Sequence, residues 1–116
     1  MLGIKPQDGH YAFELYRAAH KLVTEVRPIR HGQQVLITAD TSSDLRVARA
    51  VAGAVQAVGG VPALAWYPTL PEPMQPPPAT VAGAASAADI WFDFSVSYQL
   101  YNPTYQTAID NGCIYV

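Results

Sequence analysis

The segment that decides the fold is Val35-Leu36-Ile37-Thr38-Ala39-Asp40-Thr41-Ser42-Ser43-Asp44. It opens on an apolar, β-branched run that is typical of a buried strand. The polar residues that follow are typical of a turn leading into a helix, which we predict over residues 44–58 because apolar side chains recur there every three or four positions. Thr41 and Asp44 have the spacing of a capping box, and Gly59-Gly60 predicts the end of the helix.

The same alternation of strand and helix continues on both sides of this segment. An apolar stripe predicts a helix over residues 9–26, with Asp8 as its cap and Pro28 after its end. Further strands are predicted at 61–67, 90–96 and 113–116, and further helices at 80–88 and between Asn102-Pro103 and Asn111-Gly112. This order predicts an α/β fold with a parallel sheet of about four strands, in a single domain over residues 1–116.

Charge is distributed very unevenly along the 116 residues. All seven Lys and Arg lie in the first 49 positions, while residues 50–116 carry four acidic charges and nine of the twelve aromatic residues. Because a solvated surface normally displays charge, we expect a companion polypeptide to cover residues 50–116, in an oligomer. The alternative is a small surface of uncharged polar residues.

The overall composition excludes several classes of function. A net charge of −2 gives no electrostatic case for nucleic acid or an anionic membrane, and no apolar run is long enough to cross a bilayer. The single Cys113 rules out an internal disulfide, so a cytoplasmic location is the default. The glycine motifs that bind nucleotides are absent, and the spacing of His10, His20 and His31 predicts no metal site.

Candidate site residues lie where predicted strands end, because ligands of parallel sheets bind at the carboxyl ends of the strands. After the first strand, hydroxyls and free N–H groups could bind an anion, and simple helix capping is the alternative; the residues are Asp40, Thr41, Ser42 and Ser43. Asp93, inside an apolar strand, is a possible acid/base, or fixes a neighbouring loop by accepting backbone N–H bonds. Tyr98 and Tyr101 could line a pocket or anchor a subunit interface.

The run over residues 35–44, its alanine-rich helix, Ala87-Ala88-Asp89-Ile90 and the Asn102-Pro103 helix start together resemble a known family. They are similar to the N-terminal domain of the aminopeptidase T family, which includes 2,5-dihydroxypyridine 5,6-dioxygenase-like proteins. The resemblance implies a Rossmann-like three-layer sandwich with an N-terminal helix, packed on a larger metal-binding domain. It further implies that a loop at the cleft binds substrate, here through Tyr98, Leu100, Tyr101 and Asn102.

The resemblance implies a component of a hydrolase or a ring-cleaving dioxygenase that acts on a small aromatic or amide substrate. No metal ligand of the family has a counterpart in this chain, so any divalent metal and the catalytic groups are expected on a second chain or domain. Because the last predicted strand ends at Val116, one alternative is a precursor cleaved there to give an N-terminal-nucleophile amide hydrolase. Another alternative is a non-catalytic, flavodoxin-like module that binds a small ligand.

Overall fold

The structure is a computed structural model that describes residues 6–72, 75–96 and 102–116. Helices and strands alternate as the sequence pattern predicts. The helices are α1 (Pro6–Lys21, continued by a π-helical turn over Leu22–Val26), α2 (Leu45–Ala57), α3 (Ala79–Ala87) and α4 (Pro103–Asp110). The strands are β1 (Gln34–Asp40), β2 (Val61–Tyr67), β3 (Ile90–Asp93) and β4 (Ile114–Tyr115).

The four strands form one parallel sheet in the order β2-β1-β3-β4. The register places Leu36 of β1 beside Ala63 of β2 on one side and beside Trp91 of β3 on the other. Helices α1 and α2 cover one face of the sheet, and α3 and α4 cover the other. The predicted fold class, an α/β Rossmann-like three-layer sandwich, is confirmed.

The core is split between the two faces because side chains alternate along each strand. Val35 and Ile37 of β1 pack with the apolar stripe of α2, whereas Leu36 packs with Trp91 against α3 and α4. β1 is buried on both faces, which explains why its sequence is nearly continuously apolar instead of alternating.

Gly60 allows α2 to turn closely into β2. A Cβ atom at this position would lie 2.7 Å from Val55 Cγ1 and 2.8 Å from Ile29 Cγ2. The preceding Gly59 has a φ of +93°, the left-handed backbone that ends a helix. The predicted stop at this glycine pair is therefore confirmed.

Two predicted helix caps are wrong. α1 includes Pro6, so Asp8 lies within the helix and not before it. α2 starts close to the predicted position, but its N-cap is Asp44, not Thr41. The backbone N–H of Thr41 donates to the carbonyl of Tyr67 (3.1 Å), which extends the β1–β2 ladder and delays the helix.

The last two strands are shorter than predicted. β3 ends at Asp93 instead of residue 96, because the backbone N–H of Ser95 turns back to donate to the Asp93 carboxylate. β4 starts at Ile114, since the N–H of Cys113 still donates to the carbonyl of Ala108 at the end of α4.

Apolar side chains remain exposed in the half of the chain that is poor in charge. They are Val61, Leu64, Trp66, Val96, Ile114 and Val116. This is the half for which a covering companion is expected, and the companion itself stays a prediction. None of the helices in the described residues has the length and hydropathy needed to span a bilayer.

Candidate functional site

A cluster of polar side chains lies at the carboxyl ends of β1, β3 and β4. Its centre is the carboxylate of Asp93, at the end of β3. In parallel sheets this edge is where ligands bind, because the loops that leave the strands open a crevice there. The cluster therefore lies where a ligand-binding site is expected in this fold.

Among the described residues, Thr38, Ser95 and Tyr115 donate hydrogen bonds to the Asp93 carboxylate. Its Oδ1 accepts from Thr38 Oγ1 (2.9 Å), from the Ser95 backbone N–H (3.1 Å) and from Ser95 Oγ (2.5 Å). Its Oδ2 accepts from the hydroxyl of Tyr115 (2.5 Å), and Thr38 Oγ1 in turn accepts from Trp91 Nε1 (2.8 Å). We call these five residues the Asp93 cluster; they join β1, β3 and β4 at one edge of the sheet.

The elements that carry the Asp93 cluster explain its geometry. Thr38 and Asp93 are register partners in neighbouring parallel strands, so their side chains lie on the same face of the sheet. Trp91 lies two residues before Asp93 and therefore shares that face. Tyr115 pairs with Trp91 across β3 and β4, and its longer side chain reaches Asp93.

An aromatic wall adjoins the carboxylate. The ring of Tyr115 lies edge to face with Trp91, with ring centroids 4.9 Å apart, and with Tyr105 of α4, with centroids 5.1 Å apart. Trp91 is fully buried, whereas Asp93, Tyr105 and Tyr115 are half-buried. An acceptor carboxylate beside aromatic rings suits a ligand that combines a planar apolar ring with a hydrogen-bond donor.

Asp93 has the structural one of the two roles that the sequence allows. Its bond from the Ser95 N–H fixes the start of the loop after β3, which is the structural role. The hydroxyl bonds from Ser95 and Tyr115 are the ones that a bound ligand with its own donor could replace. The acid/base role of Asp93 stays a prediction.

The predicted anion-binding loop is internally hydrogen-bonded. Asp40 is fully buried, and its Oδ1 accepts from the Ser42 N–H (3.0 Å), while its own N–H donates to Ser43 Oγ (2.9 Å). Thr69 N–H donates to Thr41 Oγ1 (3.0 Å), and Thr69 Oγ1 donates to Ser42 Oγ (2.7 Å). These contacts tie the loop after β1 to the loop after β2.

The N-terminus of α2 is capped by a carboxylate of the chain itself. Asp44 Oδ1 accepts from the Arg46 N–H (3.0 Å), and the Arg46 guanidinium contacts both carboxylate oxygens at 3.0 Å. The Arg46 hydrogen bonds hold the pKa of Asp44 below its ordinary value. An external anion would have to displace this carboxylate, and anion binding by residues 40–43 stays a prediction.

Three of the four predicted substrate-binding residues, Tyr98, Leu100 and Tyr101, lie outside the described residues. The fourth, Asn102, is buried, and its Oδ1 accepts from the Tyr105 N–H (2.8 Å) as the N-cap of α4. This cap is the one that the Asn102-Pro103 pair predicts. Substrate binding by this loop stays a prediction.

Sequence reasoning missed four of the five members of the Asp93 cluster, namely Thr38, Trp91, Ser95 and Tyr115. Alternation along the predicted strand puts Trp91 and Ser95 on the face of Asp93, which is a usable signal for these two residues. The reach of Tyr115 depends on the order and register of β3 and β4, which the sequence does not encode locally.

The described residues do not form a metal centre. Among them, no group of three or more His, Cys, Asp or Glu lies close enough to hold a metal ion. Cys113 is buried at the start of the last strand, and desolvation, with the negative charge of Asp89, raises the pKa of its thiol to about 11. A thiol with such a pKa is a poor nucleophile near neutral pH.

The fold is similar to one solved structure in particular. That structure is 2,5-dihydroxypyridine dioxygenase from Pseudomonas putida KT2440, with a TM-score of 0.71 and 16% sequence identity over 90% of this chain. This chain spans 34% of the length of that dioxygenase. No protein-family model matches the sequence, and neither does any curated protein. The chain is therefore related in fold to one part of that dioxygenase.

Proposed function

We propose that this chain is the scaffold and one wall of the substrate site in an enzyme of the aminopeptidase T and dihydroxypyridine dioxygenase-like type. Its substrate is a small aromatic or amide molecule, and the catalytic groups lie on a second chain or domain. The observation that carries the proposal is the Asp93 cluster, at the ligand-binding edge of a fold similar to that of a dioxygenase.

In this proposal the chain binds and orients the substrate. A hydroxyl or N–H group on the ring donates to Asp93, in place of the Tyr115 or Ser95 hydroxyl. The ring itself packs beside the aromatic side chains of Tyr105 and Tyr115. Because Thr38 Oγ1 donates to the carboxylate and itself accepts from Trp91 Nε1, the acceptor is already positioned before the ligand arrives.

A companion supplies what the described residues lack. They contain no group of side chains suited to a metal ion, so any divalent metal belongs to the second chain or domain. Ile114 and Val116 are exposed in and after β4, next to the Asp93 cluster. We assign the companion to this end of the sheet, where it would cover apolar side chains and close the site.

Ligand binding tests the chain's own part of this proposal. Isothermal titration of the purified chain with 2,5-dihydroxypyridine should show binding that Asp93→Asn weakens at least about tenfold, since each lost charge-assisted hydrogen bond is worth about 1.5–3 kcal/mol. Glu25→Gln removes the same charge from an exposed helical position and should bind as the wild type does. Pyridine, which lacks the hydroxyl donors, should bind more weakly.

Turnover tests the division of labour between the two polypeptides. The chain alone should consume neither oxygen nor dihydroxypyridine, and should convert no amide substrate. Turnover by the isolated chain would contradict the proposal. Ligand binding without turnover in any complex of the chain would favour the non-catalytic binding module.

A further inference from the structure

β2 is an edge strand of the sheet that the described residues form. In the described sheet it pairs with β1 alone. The N–H of Val61 donates to the carbonyl of Gln33 (2.8 Å), and the carbonyl of Tyr67 accepts from the N–H of Thr41 (3.1 Å), so odd-numbered residues of β2 bond to β1. Because backbone groups alternate in direction along a strand, those of residues 62, 64 and 66 point away from the sheet.

The backbone groups of β2 that point away from the sheet are two N–H donors and three carbonyl acceptors. Position 62 is proline and has no N–H, so the outward donors within β2 are the N–H groups of Leu64 and Trp66. The outward acceptors are the carbonyls of Pro62, Leu64 and Trp66. The opposite edge is different, since β4 has two residues and bonds to β3 through Ile114 and Val116.

The side chains of this edge are apolar and exposed. The exposed fractions are 45% for Val61, 40% for Leu64 and 56% for Trp66. Residues 58–71 contain no charged residue, and charged side chains are the usual protection of an edge strand against pairing. A seven-residue edge of this kind is a template for another strand.

We propose that β2 pairs with β2 of a second copy of this chain, antiparallel across a two-fold axis. Such an axis places the residue that lies on it, here Leu64, opposite its own copy, so a charge there would face a like charge; this edge carries none. An uncharged edge therefore suits pairing with a second copy of the same strand better than pairing with a charged partner.

Backbone geometry supports the same occupant. With Leu64 on the axis, its N–H donates to the carbonyl of the partner subunit's Leu64, and the N–H of Trp66 donates to that of the partner subunit's Pro62. The two-fold axis repeats these two bonds from the partner strand, so all outward N–H groups within both β2 strands gain acceptors. The two four-stranded sheets become one continuous sheet.

The oligomeric state of the full chain tests this inference. Light scattering and analytical ultracentrifugation should give the mass of a dimer for the wild type and of a monomer for Trp66→Lys, which places a charged side chain on the otherwise uncharged edge. Phe13→Lys alters a side chain that is 77% exposed on α1 and should remain dimeric. Leu64→Lys should also give a monomer, and circular dichroism shows which variants are folded.

Amide exchange locates the contact. In the dimer, the N–H groups of Leu64 and Trp66 should exchange as slowly as those of Ala63 and Ala65, which bond to β1. A folded variant that is monomeric should show fast exchange at Leu64 and Trp66 only.

Three results would overturn the inference. One is a wild-type chain that stays monomeric at about 100 μM, well above a micromolar Kd. Another is a dimer that persists in both folded lysine variants. The third is protection of Leu64 and Trp66 only in complex with a different polypeptide, which would make that polypeptide the occupant of the edge. None of these results bears on ligand binding at Asp93, so this inference and the proposed function fail separately.

Discussion

At the scale of single residues, the most informative side chain is Asp93. Its carboxylate links three strands through Thr38, Ser95 and Tyr115, and the same atoms face the edge where ligands of parallel sheets bind. A half-buried carboxylate that these donors hold stabilises the fold. In the proposed function the same carboxylate accepts from the substrate, which would couple ligand binding to stability at this position.

The first prediction concerns Asp93→Asn. An amide group cannot accept at its nitrogen, so the Tyr115 hydroxyl loses its acceptor on Oδ2. We expect a loss of about 1–3 kcal/mol in the free energy of unfolding, measured with denaturant. The control Glu25→Gln should change it by less than about 0.5 kcal/mol. An equal effect of the two variants would show that the network does not stabilise the fold.

The second prediction concerns the thiol of Cys113. Because burial and Asp89 raise its pKa to about 11, the thiolate fraction of the folded chain at pH 8 is about 100-fold lower than that of an ordinary thiol. Iodoacetamide should label Cys113 slowly in the folded chain and rapidly in denaturant. Fast labelling of the folded chain would contradict the burial of this side chain.

The raised pKa of Cys113 also makes the stability of the fold depend on pH. The unfolded chain loses the thiol proton near pH 9, below the pKa of the folded chain, so ionisation favours unfolding as the pH rises from 9 to about 11. Below pH 9 the thiol keeps its proton in both states, so the stability that the protonated thiol contributes is fully present. Cys113→Ala, which has no thiol, should lose less stability over that range than the wild type.

At the scale of elements, α2 shows how a local contact sets a boundary. The helix starts after Asp44 because Thr41 continues the pairing of β1 with β2 and Thr69 holds its hydroxyl. Asp44 then caps the helix and pairs with Arg46, whose guanidinium lies 4.4 Å from the centre of the Tyr11 ring. The cap thus also joins α2 to α1.

The third prediction tests this cap. Asp44→Ala should lower the free energy of unfolding by about 1 kcal/mol at pH 7. The lowered pKa of Asp44 means that its charge stabilises the fold above the ordinary value of 3.8, and that this contribution is lost as the pH falls through the folded value. Asp44→Asn keeps the capping oxygen but should lack this pH dependence. If Asp44→Asn showed the same pH dependence of stability as the wild type, the stabilising role of the Asp44 charge would be contradicted.

The elements also show what can be predicted from a sequence. β2 and the end of α2 follow from apolar periodicity and Gly59, and the cap of α4 follows from Asn102, because each depends on neighbours along the chain. The Asp93 cluster was only partly predictable, since its contacts depend on strand order and register. The predicted cap Thr41 was wrong because its contacts with Tyr67 and Thr69, which are distant in sequence, hold it in the loop before α2.

At the scale of the whole molecule, two regions of the sheet are assigned to different contacts. The carboxyl end of β1, β3 and β4 holds the Asp93 cluster and is assigned to the substrate and a companion. The β2 edge, uncharged and seven residues long, is assigned to a second copy of the chain. The scarcity of charge after residue 50 fits both contacts, since each covers apolar side chains of that half.

An NMR titration of the intact chain with 2,5-dihydroxypyridine shows whether the Asp93 cluster binds a ligand of this class. We expect the amide signals of Thr38, Asp93 and Ser95 to shift in proportion to bound ligand, and Asp93→Asn to reduce those shifts. Signals that stay unchanged at millimolar ligand, or that shift only on the opposite face at α1 and α2, would contradict a substrate wall at the carboxyl end of the sheet.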